Sequence, residues 1–142
     1  MKKGDLQDVK VNVKLKLSAL WASLMFCYVY GDYFELYVPR KVEELINGSS
    51  MLDTPAKLFF AGILLMIPAL MICLSVLLKP FLSRILNIFF GSFFTLFVAW
   101  VGVNSISEWR SFYVFYAFVE VLLTALIVWY AWRWERVEVD TQ

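Results

Sequence analysis

The residues best able to do chemistry in this sequence are three carboxylic acids inside long apolar segments. Asp32 and Glu35 lie in the first of these segments, and Glu120 lies near the middle of the last. A carboxylate in hydrocarbon is costly, so it normally faces the interior of a helix bundle or a water-filled cavity, often with a functional role. These acids therefore define the candidate site.

Tyrosines accompany the acids at helical spacing. One face of the first segment would carry Tyr28, Asp32 and Glu35, and one face of the last would carry Tyr113, Tyr116 and Glu120. With a rise of about 1.5 Å per residue, Asp32 would lie roughly 9 Å and Glu120 roughly 14 Å below the same outer surface. The two acids could then share one cavity that opens to the outside, with tyrosine hydroxyls as hydrogen-bond donors.

Two interpretations of these residues stay open. In the functional one, the acids and tyrosines bind a cation, a proton or an amphipathic amine through charge and cation–π contact. In the structural one, Glu35 is interfacial and solvated, while Asp32 and Glu120 are protonated and hydrogen-bonded between helices. Glu35 lies near the surface, which favours the structural role. Glu120 is the deepest acid, which favours function, and Asp32 falls between them.

Several kinds of chemistry have no support in the sequence. It contains no histidine, which removes histidine-ligated haem, most zinc sites and serine–histidine or cysteine–histidine nucleophile pairs. Cys27 and Cys73 lie inside apolar segments and are interpreted as small hydrophobic side chains. The acids follow no known metal-loop spacing, and nucleotide-binding and hydrolase motifs are absent. We therefore predict no metal, no cofactor and no catalytic residue.

The elements that must position the acids follow from composition. Of the 142 residues, 61% are hydrophobic and 18% are charged, and the apolar residues form four long segments, which indicates lipid as the solvent. The predicted fold is an all-α membrane protein, an antiparallel bundle of four transmembrane helices. Its spans are placed at about 17–38, 56–78, 84–104 and 109–134. A basic arm at 1–16, a short amphipathic surface helix from Arg40 to Ile46 and a tail at 135–142 complete the domain.

Several details of these spans are predicted from turn and capping residues. Thr54 and Pro55 suit the N-cap and first turn of the second span, and Ser83 suits the cap of the third. Asn87 and Asn104 are interpreted as caps or interfacial groups. Small residues on the third span would permit close helix contact; they are Gly91, Thr95, Ala99 and Gly102.

Basic residues predict the orientation. One side of the predicted bundle holds nine lysines and arginines and the other holds four, so both termini should be cytoplasmic. The lysines of the N-terminal arm should lie among lipid phosphates. The net charge of +1 argues against a nucleic-acid partner. The expected partners are the bilayer and a small cationic or amphipathic ligand, and homo-oligomers are compatible with the pattern.

Several segments resemble a family of small four-span bacterial membrane proteins of unknown function. The segments that carry the resemblance are Leu17–Trp21, Tyr28–Asp32, Ile67–Ala69, Asn87-Ile88, Glu120 and Thr124–Trp132. The resemblance covers nearly all of residues 17–134, and it implies a four-span fold in the bacterial plasma membrane. It implies no substrate, because no motif in it is diagnostic of an activity.

Three classes of function fit the sequence. The first is a binding or transport protein with an outward-facing acidic and aromatic cavity. The second is an accessory or structural membrane subunit without a ligand of its own. The third, a membrane enzyme acting on a lipid or quinone, is less favoured, since carboxylates alone would have to do its proton chemistry.

Overall fold

A computed structural model describes residues 9–135, and all regular structure within that range is helical. The helices are α1 (Val13–Glu35), α2 (Lys41–Ile46), α3 (Pro55–Leu77), α4 (Pro80–Asn104) and α5 (Ser111–Trp132). A single 3-10 turn, Glu108–Arg110, precedes α5. The all-α prediction is therefore confirmed. Most of the predicted arm and tail, residues 1–8 and 136–142, lie outside the described residues.

Three helical segments of the described chain are long and apolar enough to cross a membrane. They are α3, α4 and the segment Glu108–Trp132, with mean hydropathies of 2.6, 1.9 and 2.1. Most of their side chains face outward, as in a protein solvated by lipid. The first helix equals α3 in length, at 23 residues, but it is less apolar because it carries charged residues near both ends. The chain is thus a membrane-embedded protein.

The core lies where α1 meets α3 and α5, and where α4 packs along α5. Its fully buried side chains are Leu17, Trp21, Leu24, Met71, Phe94, Ile127 and Ala131. Close approach of α4 to α5 depends on glycines. A Cβ added at Gly91 would lie 2.8 Å from Val128 Cγ2, and one at Gly102 would lie 2.8 Å from Ala117 Cβ. These two members of the predicted small-residue stripe therefore lie at a helix interface.

The first helix begins earlier than predicted. Asn12 caps it by accepting a hydrogen bond from the Lys14 backbone N–H at 2.9 Å, so the end of the predicted arm is helical. The Lys14 ammonium group donates to the backbone carbonyls of Val76 and Leu78, at 3.1 and 2.5 Å. This lysine thus satisfies carbonyls that the end of α3 leaves without intrahelical donors.

The second and third long helices differ in how well their starts were predicted. Thr54 caps α3 by accepting from the Lys57 backbone N–H at 3.3 Å, which confirms the predicted start. The Lys57 ammonium donates to the Asp53 carboxylate at 2.6 Å, and this hydrogen bond holds the pKa of Asp53 below its usual value. The third long helix, α4, starts at Pro80 rather than near Arg84, because proline suits the first helical position.

The capping prediction for Ser83 is consequently wrong. With α4 starting at Pro80, Ser83 lies one turn inside the helix, where it is fully buried. Its hydroxyl donates to the backbone carbonyl of Ser75 at 2.9 Å and joins α4 to α3. The predicted surface helix is also one residue shorter, since Arg40 adopts a left-handed conformation (φ 66°) and α2 begins at Lys41.

Candidate functional site

A partly open cavity of about 210 Å³ lies among α1, α3, α4 and α5. Five of the six predicted site residues line it: Tyr28, Asp32, Tyr113, Tyr116 and Glu120. Leu52, from the loop before α3, also lines the cavity, which therefore extends towards the end of the bundle where that loop lies. The structure thus brings together the acids and tyrosines that helical spacing had placed on two separate faces.

Helix geometry explains how the five side chains converge. Tyr28 and Asp32 lie one turn apart on α1, and Tyr116 and Glu120 lie one turn apart on α5. Small residues make room between them. Gly31 and Ala117 both line the cavity, and a Cβ added at Gly31 would meet nothing within 4 Å. The cavity is thus a space between packed helices that small side chains leave open.

The two carboxylates in the cavity lack a partner in the described part of the chain. Within residues 9–135, neither Asp32 nor Glu120 forms a salt bridge or accepts a side-chain hydrogen bond at its carboxylate. Glu120 is only 7% exposed, and the nearby Thr124 hydroxyl donates to the backbone carbonyl of Glu120 rather than to its carboxylate. Asp32 is exposed, whereas a buried carboxylate such as that of Glu120 is usually paired, so the Glu120 carboxylate retains acceptor capacity for a ligand.

A tyrosine in the cavity wall likewise has a hydroxyl without a partner in the described part of the chain. The Tyr28 hydroxyl is buried and has no hydrogen-bond partner within residues 9–135. The rest of the wall is largely apolar and includes the aromatic rings of Phe94 and Phe97. An apolar cavity with a few convergent polar groups is the usual form of a small-molecule site. At about 210 Å³ it is smaller than the roughly 300 Å³ at which drug-sized pockets begin, so it suits a ligand of few atoms.

Glu35, the sixth predicted residue, lies apart from the cavity in an ion-pair cluster. One of its oxygens, Oε1, lies 2.5 Å from Arg110 Nη2 and 3.3 Å from Lys41 Nζ. Its side chain is 15% exposed, so this acid is paired rather than solvated. Two cations offset its charge, and it is therefore a poor candidate for a ligand contact. Its position does join the end of α1 to the starts of α2 and α5.

Sequence reasoning missed the importance of Asn87. Its position near the end of the predicted span favours a cap or interfacial group, but it is fully buried and hydrogen-bonded to Trp21, Ser75 and Ser83. The signal was present in its spacing. Ser83 and Asn87 are four residues apart and continue the helical face that includes Gly91 and Gly102. That face packs inward, so its polar residues had to be buried and paired.

Metal and thiol chemistry find no assembled site in the described part of the chain. No group of three histidine, cysteine, aspartate or glutamate side chains is placed to hold a metal ion there. Cys27 on α1 and Cys73 on α3 are both free thiols. The unpaired carboxylates and the tyrosines are therefore the groups on which a binding function would depend.

The chain belongs to a family of unknown function, DUF6326, whose model matches residues 5–141. This agrees with the resemblance noted in the sequence, which pointed to an uncharacterised family. No curated protein and no solved structure matches the chain. Its function must therefore be inferred from the site itself.

Proposed function

We propose that this protein is a four-span bacterial plasma-membrane protein that binds or transports a small cation through the acidic, aromatic cavity. The observation that carries the proposal is the pair Asp32 and Glu120. Both carboxylates line one cavity of about 210 Å³, both lack a partner among the described residues, and no lysine or arginine lines that cavity. A bound cation would supply the missing charge.

Packing supports α1 as a membrane span in addition to the three apolar segments. Its side chains Leu17, Trp21 and Leu24 are fully buried against the other long helices. Between Leu17 and Gly31 it carries no charged residue, a stretch of roughly 22 Å at helical rise. At one end, Lys14 and Lys16 can reach the interface, because the Lys16 ammonium lies 5.3 Å from the centre of the Tyr130 ring. The lysines of α1 thus lie near a helix end, where a spanning helix tolerates them, and Asp32 lies at the cavity.

The distribution of basic residues supports cytoplasmic termini. Lys14 contacts the C-terminal end of α3, and the Arg84 guanidinium donates to the Trp132 carbonyl at 3.0 Å. These contacts gather the start of α1, the α3–α4 turn and the end of α5 at one end of the bundle. That end is the more basic one and would face the cytoplasm. The acidic cavity would then open on the outer side.

The wall chemistry favours a small ammonium ion or a comparable cation. Two carboxylates provide charge, Tyr28 provides a buried hydroxyl without a partner among the described residues, and aromatic rings provide faces that attract cations. A short alkylammonium ion combines a charged head with a small apolar body, and such a body matches a wall that is mostly apolar. The competing accessory-subunit function would need no such ligand.

Binding to the purified protein tests the proposal. The probes are alkali cations, Mg²⁺ and ethylammonium, with ethanol as a neutral analogue. We expect a cation to bind and ethanol not to bind. The double variant Asp32→Asn/Glu120→Gln should weaken cation binding by at least about tenfold, since it removes both charges while keeping side-chain shape.

A matched control uses acids outside the cavity. Glu43→Gln/Glu44→Gln removes two charges from the surface helix α2, and it should leave cation affinity unchanged. Absence of binding by every cation, or equal binding by the cavity double variant and this control, would contradict the proposal. The accessory-subunit function would then be preferred.

A further inference from the structure

A fully satisfied polar cluster lies in the core beyond the inner end of the cavity. Its members are Trp21, Ser75, Ser83 and Asn87, all fully buried. The Asn87 side-chain oxygen accepts from Trp21 Nε1 at 2.7 Å and from the Ser75 hydroxyl at 3.2 Å. Its amide nitrogen donates to the Ser83 carbonyl at 2.8 Å. One side chain of α4 therefore connects α1, α3 and α4.

This cluster is coupled to the cavity through two aromatic rings. The Trp21 ring meets the Phe94 ring edge to face, with centroids 6.1 Å apart and an interplanar angle of 83°. Phe94 lines the cavity, whereas Trp21 does not. On α1, Trp21 lies two turns from the cavity residue Tyr28, and on α4, Asn87 lies two turns from Phe94. Trp21 thus lies behind the inner wall of the cavity.

We infer that Asn87 is a positioning residue, which acts through Trp21 to hold Phe94 as the inner wall and so limits the size of the ligand. The inference rests on the proposed cation-binding function. Without the Asn87 side chain, the Trp21 N–H and the Ser75 hydroxyl would each lose a buried partner. The indole would turn towards another acceptor, and Phe94, which also packs against Phe93 and Phe97, would lose its edge-to-face contact with Trp21.

The size limit can be measured with a series of primary alkylammonium ions, from methyl to hexyl. In the wild type, affinity should rise with the first methylenes and then fall when the chain meets Phe94. Asn87→Leu keeps the branched arrangement of heavy atoms, although it is bulkier, and removes the hydrogen bonds, whereas Trp21→Phe removes the donor. Both should shift the optimum to a longer chain, with a gain of roughly fourfold in relative affinity for each further methylene that fits.

Two further variants separate positioning from general stability. Asn87→Asp keeps an acceptor for Trp21 and, when protonated, a donor for Ser83, so it should restore the wild-type optimum. Arg110→Gln breaks an ion pair away from this cluster. It should destabilise the protein and change the affinity for every amine by the same factor, so that the chain length with the highest affinity stays the same.

A spectroscopic readout makes the inference independent of ligand binding. With 5-fluorotryptophan incorporated, the fluorine resonance of Trp21 is identified by its loss in Trp21→Phe. Asn87→Leu and Phe94→Ala should both move this resonance, whereas Arg110→Gln should not. If the Trp21 resonance has the same chemical shift in Asn87→Leu as in the wild type, the inference is overturned, whatever the affinities for the amines are. An unchanged size optimum in Asn87→Leu, with a changed one in Phe94→Ala, would also overturn it while leaving the proposed function intact.

Discussion

Arg110, which immediately precedes α5, forms an ion pair with Glu35, the last residue of α1. Arg110 Nη2 lies 2.5 Å from Glu35 Oε1. Lys41, at the first residue of α2, approaches the same carboxylate oxygen at 3.3 Å. One acid therefore holds three helix ends together. Asp32 lies one turn away on the same helix without any such partner among the described residues, and this contrast separates the structural acid from the candidate ligand-binding acid.

Glu35→Gln should lower the free energy of unfolding by about 1 kcal/mol, because it removes a partly exposed ion pair and leaves two cations without their anion. It should leave cation affinity within about twofold, since Glu35 does not line the cavity. Thermal unfolding and titration of the purified variant measure the two effects. Glu44→Gln, at the exposed edge of the cluster, should change neither. A loss of binding as large as that of a cavity variant would place Glu35 in the site.

The contact between α4 and α5 predicts opposite effects of one substitution at two glycines. Gly102→Ala should lower the free energy of unfolding by about 1–3 kcal/mol, because the new Cβ would lie 2.8 Å from Ala117 Cβ, which has no rotamer to adopt. Gly62→Ala on α3 is the matched control. A Cβ there meets nothing within 4 Å, so greater helix propensity should raise stability by roughly 0.5–1 kcal/mol. Denaturation in one detergent compares the two, and equal effects would contradict the packing described.

Topology is open to a separate test. Nine basic residues against four predict that the C-terminus is cytoplasmic and that the loop around Ser50 is external. A reporter enzyme that is active only in the cytoplasm should be active when fused at the C-terminus and inactive when fused near Ser50. A reporter that is active only outside the cytoplasm should give the reverse result. An external C-terminus would reverse the orientation and place the acidic cavity on the cytoplasmic side.

The sequence predicted the elements better than their contacts. Long apolar segments and the Thr54 cap are local signals, so the all-helical fold and the start of α3 could be read directly. Helical spacing also grouped Asp32 with Tyr28, and Glu120 with Tyr113 and Tyr116, and these five residues line one cavity, whereas Glu35 does not. These predictions needed only the position of a residue on its own helix.

Features that depend on two helices could not be predicted in this way. Pairing of Glu35 with Arg110 joins residues 75 positions apart, and burial of Asn87 depends on Trp21 from a different helix. The residue type of Ser83 predicts a helix cap, and only the earlier start of α4 at Pro80 turns Ser83 inward. A polar side chain in an apolar segment indicates that it needs a hydrogen-bond partner, but it does not indicate which helix supplies that partner.

The central claim is that Glu120 contributes charge to a cation site, and the pH dependence of binding tests it most directly. At mildly alkaline and mildly acidic pH, affinity for ethylammonium should be measured by titration calorimetry for the wild type and for Glu120→Gln, which keeps the shape but cannot ionise. Protonation removes the negative charge, so wild-type affinity should fall as pH falls. The variant should bind at least about tenfold more weakly at the higher pH and show a much smaller pH dependence. Equal affinity of the two proteins at both pH values would contradict the account and make Glu120 a structural residue.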